Sequence, residues 1–263
     1  MTDPAVTYAS YLKIDELLGL QEPRSRGPEH DELLFIVIHQ VYELWFKQLL
    51  HELDRVRHWL EDDESHRAQH TLKRILSIVK VMVAQLDILE TMTPLEFLAF
   101  RERLEAASGF QSDQFRQIEF VLAVKSPAAI RRFPEGSRAR IALEGRYREP
   151  TVWDAFLRYL SREGYAVPSS HLERDVSAPI EPSPDVQRIL LAVYRDDPKN
   201  AEVCERLVDL DEGIQEWRYR HVKMVERTIG TRRGTGGSAG AAYLQETVGR
   251  PLFPDLWEIR SQL

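Results

Sequence analysis

The sequence predicts an all-α protein: a single helical-bundle domain over residues 1–263, with a small irregular and helical lobe at 126–185. Three observations predict it. Apolar residues recur every three or four positions through several long stretches, which is the period of a helix with one buried face. No run alternates convincingly between apolar and polar residues, so strands have no signature. Prolines, glycines and capping residues stand at the ends of the periodic stretches rather than inside them.

Each element follows from its own pattern. From Asp31 to Leu60 the residues Phe35, Ile38, Tyr42, Trp45, Leu49, Leu53, Val56 and Leu60 form one stripe. Glu43, Lys47, Glu52 and Arg55 are assigned to the opposite side, with Glu43 and Lys47 at a favourable i,i+4 spacing. A second helix runs from about Ala68 to Glu90 through Leu72, Ile75, Val79, Met82, Leu86 and Leu89. A third starts where Thr93 serves as N-cap, Pro94 as the first helical residue and Glu96 as the partner in a capping box; it is expected to end near Ala106. Another begins at Ser112 and runs to Leu122. Residues 126–150, with Pro127, Pro134, Gly136, Gly145 and Pro150, read as irregular. A short helix, Thr151 to Glu163, precedes a proline-rich surface connection over 164–184. Helices then cover Asp185–Arg195 and Glu202–Ile229, the second closed by Gly230, and a last short one spans Ala241–Val248.

Composition narrows the function classes. The net charge is −7, which gives no general reason to bind nucleic acid. Arg131-Arg132 and Arg138-Ala139-Arg140 lie in an irregular stretch with little aromatic interleaving, so they add no such signal. Cys204 is the one cysteine, which excludes an intrachain disulfide and a cysteine-based metal site and suits a reducing cytoplasm. No uninterrupted apolar stretch approaches a membrane span, and Met1–Ser10 has no basic-then-apolar signal pattern.

Candidate chemistry gathers at a few positions. His221 shares a helix face with Leu210, Ile214, Trp217, Met224, Val225 and Thr228. A neutral imidazole there is either a hydrogen-bonded core residue or a ligand, and a lone histidine in an apolar cleft is also the pattern of a haem ligand. His39 lies with Phe35, Tyr42 and Phe46 on the first long helix and carries the same two readings. Gly234-Thr235-Gly236-Gly237-Ser238-Ala239-Gly240 is either a flexible turn or an anion cradle of backbone N–H groups joined by the Thr235 hydroxyl. It is no Walker loop, because no Lys-Ser/Thr pair ends it and no strand precedes it. Arg101, beside Phe97, Leu98 and Phe100, is either a snorkelling surface residue or a bidentate carboxylate clamp. The acidic groups Asp31/Glu32, Asp62/Asp63 and Asp209/Asp211/Glu212 read as solvated faces or helix starts with no acid–base role.

Several blocks together carry a resemblance. They are Thr7-Tyr8-Ala9-Ser10-Tyr11-Leu12; His30 to Gln40 with Glu43-Leu44-Trp45-Phe46-Lys47; Leu89 to Pro94; Phe100-Arg101; Ser108-Gly109-Phe110-Gln111-Ser112; and Trp217-Arg218-Tyr219-Arg220-His221 through Ser238. In this order and at this length they resemble the tryptophan 2,3-dioxygenase family, over nearly the whole chain and most weakly over 126–200.

The resemblance implies a set of roles. The helices would enclose a haem pocket, with one b-type haem per subunit, His221 as axial ligand of the iron and Gly109 beside the cofactor. His39 would be the catalytic distal histidine that takes the indole N–H. Phe35, Ile36, Val37 and Ile38 would line the indole pocket, with Phe97 beside them; Arg101 would pair with the substrate carboxylate and Thr235 with its ammonium and carboxylate end. Tyr8, Tyr11 and Leu12, in an N-terminal segment 1–20, would come from a neighbouring subunit of a homotetramer. The implied reaction adds O2 across C2–C3 of the L-tryptophan indole to give N-formylkynurenine, the first step of tryptophan catabolism by the kynurenine pathway, in the cytoplasm and without nucleic-acid or membrane partners. Bacterial members of the family can carry tyrosine where this chain has Phe97, which leaves more of the carboxylate to Arg101 and Thr235. Two other readings stand beside it: a haem oxygenase acting on a modified indole, and an inactive helical interaction module.

Overall fold

Three long helices form the frame: α3 (His30–Glu61), α4 (Ser65–Leu89) and α12 (Pro198–Ile229). The computed structural model describes residues 5–27, 29–105, 107–235 and 241–263, without the side chains of residues 242 and 243. α4 lies between the other two and packs along both. The stripe expected on α3 is the buried one, from Ile38 and Tyr42 through Leu49, Leu53 and Val56 to Leu60. α3 and α4 reverse through Asp62 and Asp63, and Asp63 takes a left-handed φ of 60° to make the turn. Close approach of α12 to α4 needs Gly213, where a Cβ would stand 3.2 Å from the Val79 side chain.

Shorter helices close the frame. The N-terminal segment forms α1 (Tyr8–Leu12), capped by Thr7 and Ser10, and α2 (Ile14–Leu18). α5 (Pro94–Arg101) begins with the expected Thr93–Glu96 capping box. It stops at Arg101, earlier than expected, because the chain tightens into a 3-10 turn at Glu102–Leu104 and Glu105 turns to φ 48°. A second 3-10 turn, Gly109–Gln111, leads to α6 (Asp113–Val121) under the Ser112 cap.

Residues 126–150 are not irregular. They contain α7 (Pro127–Ile130) and α8 (Arg138–Arg148). The prolines and serines that suggested a loop are helix starts: Ser126 and Ser137 accept N-cap hydrogen bonds from Ala129 and Arg140, and Pro127 sits in the first turn. α9 (Val152–Arg162) has a capping box between Thr151 and Asp154. The proline-rich connection holds one turn, α10 (Ser169–Leu172), before α11 (Pro184–Asp196). α12 begins earlier than its periodicity suggested, because Asp197 caps it and Pro198 opens it. The expected last helix is shorter, α13 (Ala241–Gln245), and an unexpected α14 (Pro254–Glu258) follows, with a 3-10 turn at Ile259–Gln262.

One apolar core joins the long helices to α9, α11 and the C-terminal turns. A small second cluster, Phe120, Ala129, Ile130 and Leu143, sits under α7 and α8. α3 is long and apolar enough by length and composition to cross a membrane; here it is a core helix whose Glu52 is buried against Arg74 at 3.0 Å. No strand occurs among the described residues.

Candidate functional site

A cavity of about 240 Å³ lies between α3, α5, α6 and α12. α3 lends it Phe35, His39, Tyr42, Glu43 and Phe46, and α12 lends it Trp217, Arg218, His221, Val222, Met224, Val225 and Thr228. Helical spacing gathers each set on one face. Phe97 and Arg101 of α5 border it, as do Ser108, Gly109 and Phe110 and, on α6, Phe115, Arg116 and Glu119. Gly234, Thr235, Leu244 and Thr247 complete the lining from the C-terminal side.

Among the described residues His221 has no hydrogen-bond partner. Its ring stacks on Trp217 of the preceding turn, with ring centres 5.2 Å apart and planes within 2°. Trp217 is fixed in turn by edge contacts with Phe46 at 6.3 Å and Tyr42 at 6.2 Å. Burial, with smaller contributions from His39 and Arg116, pulls the imidazole down to about 4. The ring is therefore neutral at physiological pH and has a free lone pair. No group of three or more His, Cys, Asp or Glu that could hold a metal ion exists among the described residues. A metal here would bring most of its own ligands, as haem iron does.

His39 is held differently. Its Nδ1 lies 2.7 Å from the Phe35 carbonyl. A carbonyl only accepts, so Nδ1 carries the proton and Nε2 is left as an acceptor. Burial keeps this histidine below its usual pKa, against the opposing effects of the Phe35 hydrogen bond and the Glu43 carboxylate. The Phe35 ring lies 4.0 Å from the imidazole and 5.8 Å from Phe97, which builds a flat apolar wall.

Arg101 and Thr235 both line the cavity, and each donates to a backbone carbonyl. Arg101 Nη2 donates to the Arg233 carbonyl, and Thr235 Oγ1 donates to the Ala107 carbonyl at 2.6 Å. These two contacts pin the chain after Gly230 to the region behind α5. Gly236 to Gly240, the rest of the glycine-rich loop, lie outside the described residues. A Cβ at Gly109 would meet nothing within 4 Å, so this stretch of cavity wall leaves room for a flat group.

The structure thus brings together Phe35, His39, Phe97, Arg101, Gly109, His221 and Thr235. It does not bring Ile36, Val37 and Ile38 to the lining: Val37 points to solvent and Ile38 into the core, because a helix turns consecutive residues to different faces. Tyr8, Tyr11 and Leu12 are exposed and do not reach their own chain's cavity. Glu43 is not on a solvent face with Lys47; it lines the cavity and accepts a hydrogen bond from Gln114 Nε2 at 2.8 Å. Sequence reasoning missed a buried charged group in the wall: Arg116 pairs with Glu119 at 2.5 Å, and Glu119 with Arg218 at 3.5 Å. The i,i+3 spacing of Arg116 and Glu119 was its one local signal; the partnership with Arg218 depends on the tertiary fold.

Comparison with known proteins adds a second line of observation. The sequence profile described as tryptophan 2,3-dioxygenase matches residues 2–135 and 185–263. A tryptophan 2,3-dioxygenase of Herpetosiphon aurantiacus is 62% identical over 98% of this chain and 99% of its own length. One from Anaeromyxobacter sp. (strain K) is 55% identical over the full length of both chains. One from Caulobacter vibrioides is 43% identical over 98% of each.

Proposed function

The chain belongs to the tryptophan 2,3-dioxygenase family, and on that premise we propose that it oxidises L-tryptophan with O2, opening the indole ring between C2 and C3 to give N-formylkynurenine. The observation that carries this reading is the pairing of two differently held histidines, His39 and His221, in one apolar cavity whose lining also holds Arg101 and Thr235.

The residues present fit a b-type haem. His221 offers a neutral, buried nitrogen with no hydrogen bond among the described residues, and Gly109, in the lining of the same cavity, has open space where a Cβ would stand. The Nε atom of Arg116, buried in the wall, has no partner among the described residues. When bound, haem supplies the site that binds and activates dioxygen.

The protein supplies orientation. Phe35 and Phe97 offer flat apolar surface to an indole, and the unprotonated Nε2 of His39 accepts its N–H. Arg101 takes the substrate carboxylate by two parallel hydrogen bonds, exchanging its present contact with the Arg233 carbonyl, and the Thr235 hydroxyl turns from Ala107 to the same end of the molecule. The lining is otherwise largely apolar, and a low-dielectric surrounding strengthens both contacts. No strong acid or base is required, which fits a site whose two histidines are neutral.

Tyr8, Tyr11 and Leu12 complete the pocket of a neighbouring subunit in a homotetramer; their exposure, with that of Val6 and Leu18, supports this reading. A cytoplasmic enzyme fits the buried thiol of Cys204. Residues 1–263 act as one domain, with 126–185 as a subsidiary lobe. The test is to incubate the reduced, haem-loaded protein with L-tryptophan and O2 and to assay for N-formylkynurenine. Haem-loaded protein that forms none would overturn the reading.

A further inference from the structure

Two carboxylates of α12 hold the C-terminal part of the chain: Glu205 accepts from Arg260 Nη1 at 2.8 Å, and Asp211 gathers several donors. Asp211 is wholly buried, upstream of His221 on the same helix. Its Oδ1 accepts from Gln215 Nε2 at 2.7 Å. Its Oδ2 accepts three hydrogen bonds: from the backbone N–H of Leu252 at 2.8 Å, that of Phe253 at 3.0 Å and Trp257 Nε1 at 2.9 Å. Two successive backbone donors and an indole converge on a single oxygen, and Leu252 and Phe253 are buried behind it. This is an interaction of fixed direction, unlike the apolar packing around it.

The segment it tethers matters to the cavity. The chain leaves α12 at Gly230, and Leu244 and Thr247 line the cavity before the tether at Leu252 is reached. The cavity-lining strap, residues 241–252, is fixed at its far end to Asp211 on the helix that bears His221, and upstream of it the chain is held where Arg101 and Thr235 donate to the Arg233 and Ala107 carbonyls. Among the described residues 241–252 the strap forms one short helix, Ala241–Gln245, and a turn at Gly249 with φ 76°. Its seat over the cavity comes from the packing of α13 on α12 together with how its ends are held.

We propose that Asp211 is a positioning residue for the reaction: it sets the strap that carries Leu244 and Thr247 against the cavity, and through that strap the fit of the substrate. The inference rests on the reading of the cavity as the L-tryptophan site. Removing the carboxylate strands four donors at once, whereas Asn keeps one acceptor oxygen for the three from residues 252–257 while Gln215 reorients to meet its amide.

The test uses the haem-loaded variants Asp211→Ala, Asp211→Asn and Trp257→Phe, with steady-state kinetics and amide hydrogen exchange. Asp211→Ala is expected to raise KM for L-tryptophan about tenfold with kcat changed less than about twofold. Exchange should rise over 241–257 and stay unchanged over 203–221. Asp211→Asn should bring KM back to within about threefold of the parent, and Trp257→Phe, which removes one of those three donors, should raise it about twofold. Trp257→Phe and Asp211→Asn keep the test decisive if Asp211→Ala fails to fold. Exchange rising equally along α12 and the strap would show a structural core residue and overturn the proposal, as would an unchanged KM in a variant whose strap exchanges faster. If the parent itself turns over no L-tryptophan, the functional reading fails, and the exchange measurement still decides whether Asp211 holds the strap.

Discussion

The walls of the cavity and the region beyond α6 are built with different chemistry. Around the cavity, position is set by rings: His221 on Trp217, Trp217 on Phe46 and Tyr42, His39 on Phe35, Phe35 on Phe97 and Phe100. Beyond α6, ion pairs add to the apolar packing of α7, α8 and α9. Arg146 reaches Asp54 of α3 at 2.5 Å, Arg57 of α3 reaches Glu149 at 3.1 Å, and Arg174 reaches the buried Asp154 at 2.6 Å. Lys125 donates to the carbonyls of Tyr147 and Glu149 at the end of α8, and burial pulls its ammonium down to about 8. The family profile matches the segments that supply every cavity residue and passes over 136–184. Aromatic stacking fixes ring orientation, which a reaction on an indole needs. Ion pairs join elements without specifying what lies between them. Substitutions in the first region should therefore change ligand binding, and those in the second should change stability alone.

The largest expected effect lies at His221. His221→Ala should leave a folded protein that retains little haem, measured as Soret absorbance per chain, and no dioxygenase activity. His39→Ala should keep the haem and lose turnover. If both variants lost haem equally, the contrast between a free imidazole and one committed to the Phe35 carbonyl would be without functional meaning.

Arg101→Ala comes next. Truncating one partner of a buried charge pair costs about 2 kcal/mol or more, so KM for L-tryptophan should rise at least about thirtyfold. Haem content should be normal. Arg101→Lys should recover only part of the loss, because an ammonium cannot make two parallel hydrogen bonds. The same KM in all three proteins would remove the clamp.

Asp154→Asn probes the other region. It leaves Arg174 half-buried without its counter-charge, a loss of about 3 kcal/mol of unfolding free energy, while KM should not move. The pH dependence has a definite sign. Burial raises the Asp154 pKa, but hydrogen bonds from Arg174 and Thr151 outweigh it, so the carboxyl titrates below its ordinary 3.8. Its contribution is complete above that value and is lost as pH falls through the lower, folded one. The variant should accordingly show a flatter acid limb in denaturant titrations. A raised KM instead would mean that the charged region reaches the cavity after all.

How much of this the sequence discloses follows the same division. The long helices are legible because their stripes are regular, and the Thr93 and Ser112 starts because capping is local. α7, α8 and the first turn of α12 were hidden, since a proline or serine marks a helix start and a loop with equal strength until its neighbours are placed. In the cavity, His39 and His221 stand out as polar residues on apolar stripes. Glu43 does not, because its partner Gln114 is far away in sequence and only packing of α3 on α6 brings them together. Asp211 reads as a solvated acid for the same reason: three of its four donors come from residues 252–257.

The smallest expected effect is the sharpest test of how the rings and the clamp cooperate. Phe97 precedes Arg101 by one helical turn, so both side chains reach the cavity from one face of α5. Phe97→Tyr adds a hydroxyl at the para position of a ring that already stands 5.8 Å from Phe35. If that ring edge points toward the substrate carboxylate, the new O–H gains a charge-assisted hydrogen bond, and KM for L-tryptophan should fall about three- to fivefold. KM for tryptamine, which has no carboxylate, should not fall, because the hydroxyl would then meet only apolar wall. A drop for both substrates would assign the gain to ring packing, and the division between rings that orient the indole and charges that hold the amino acid would have to be redrawn.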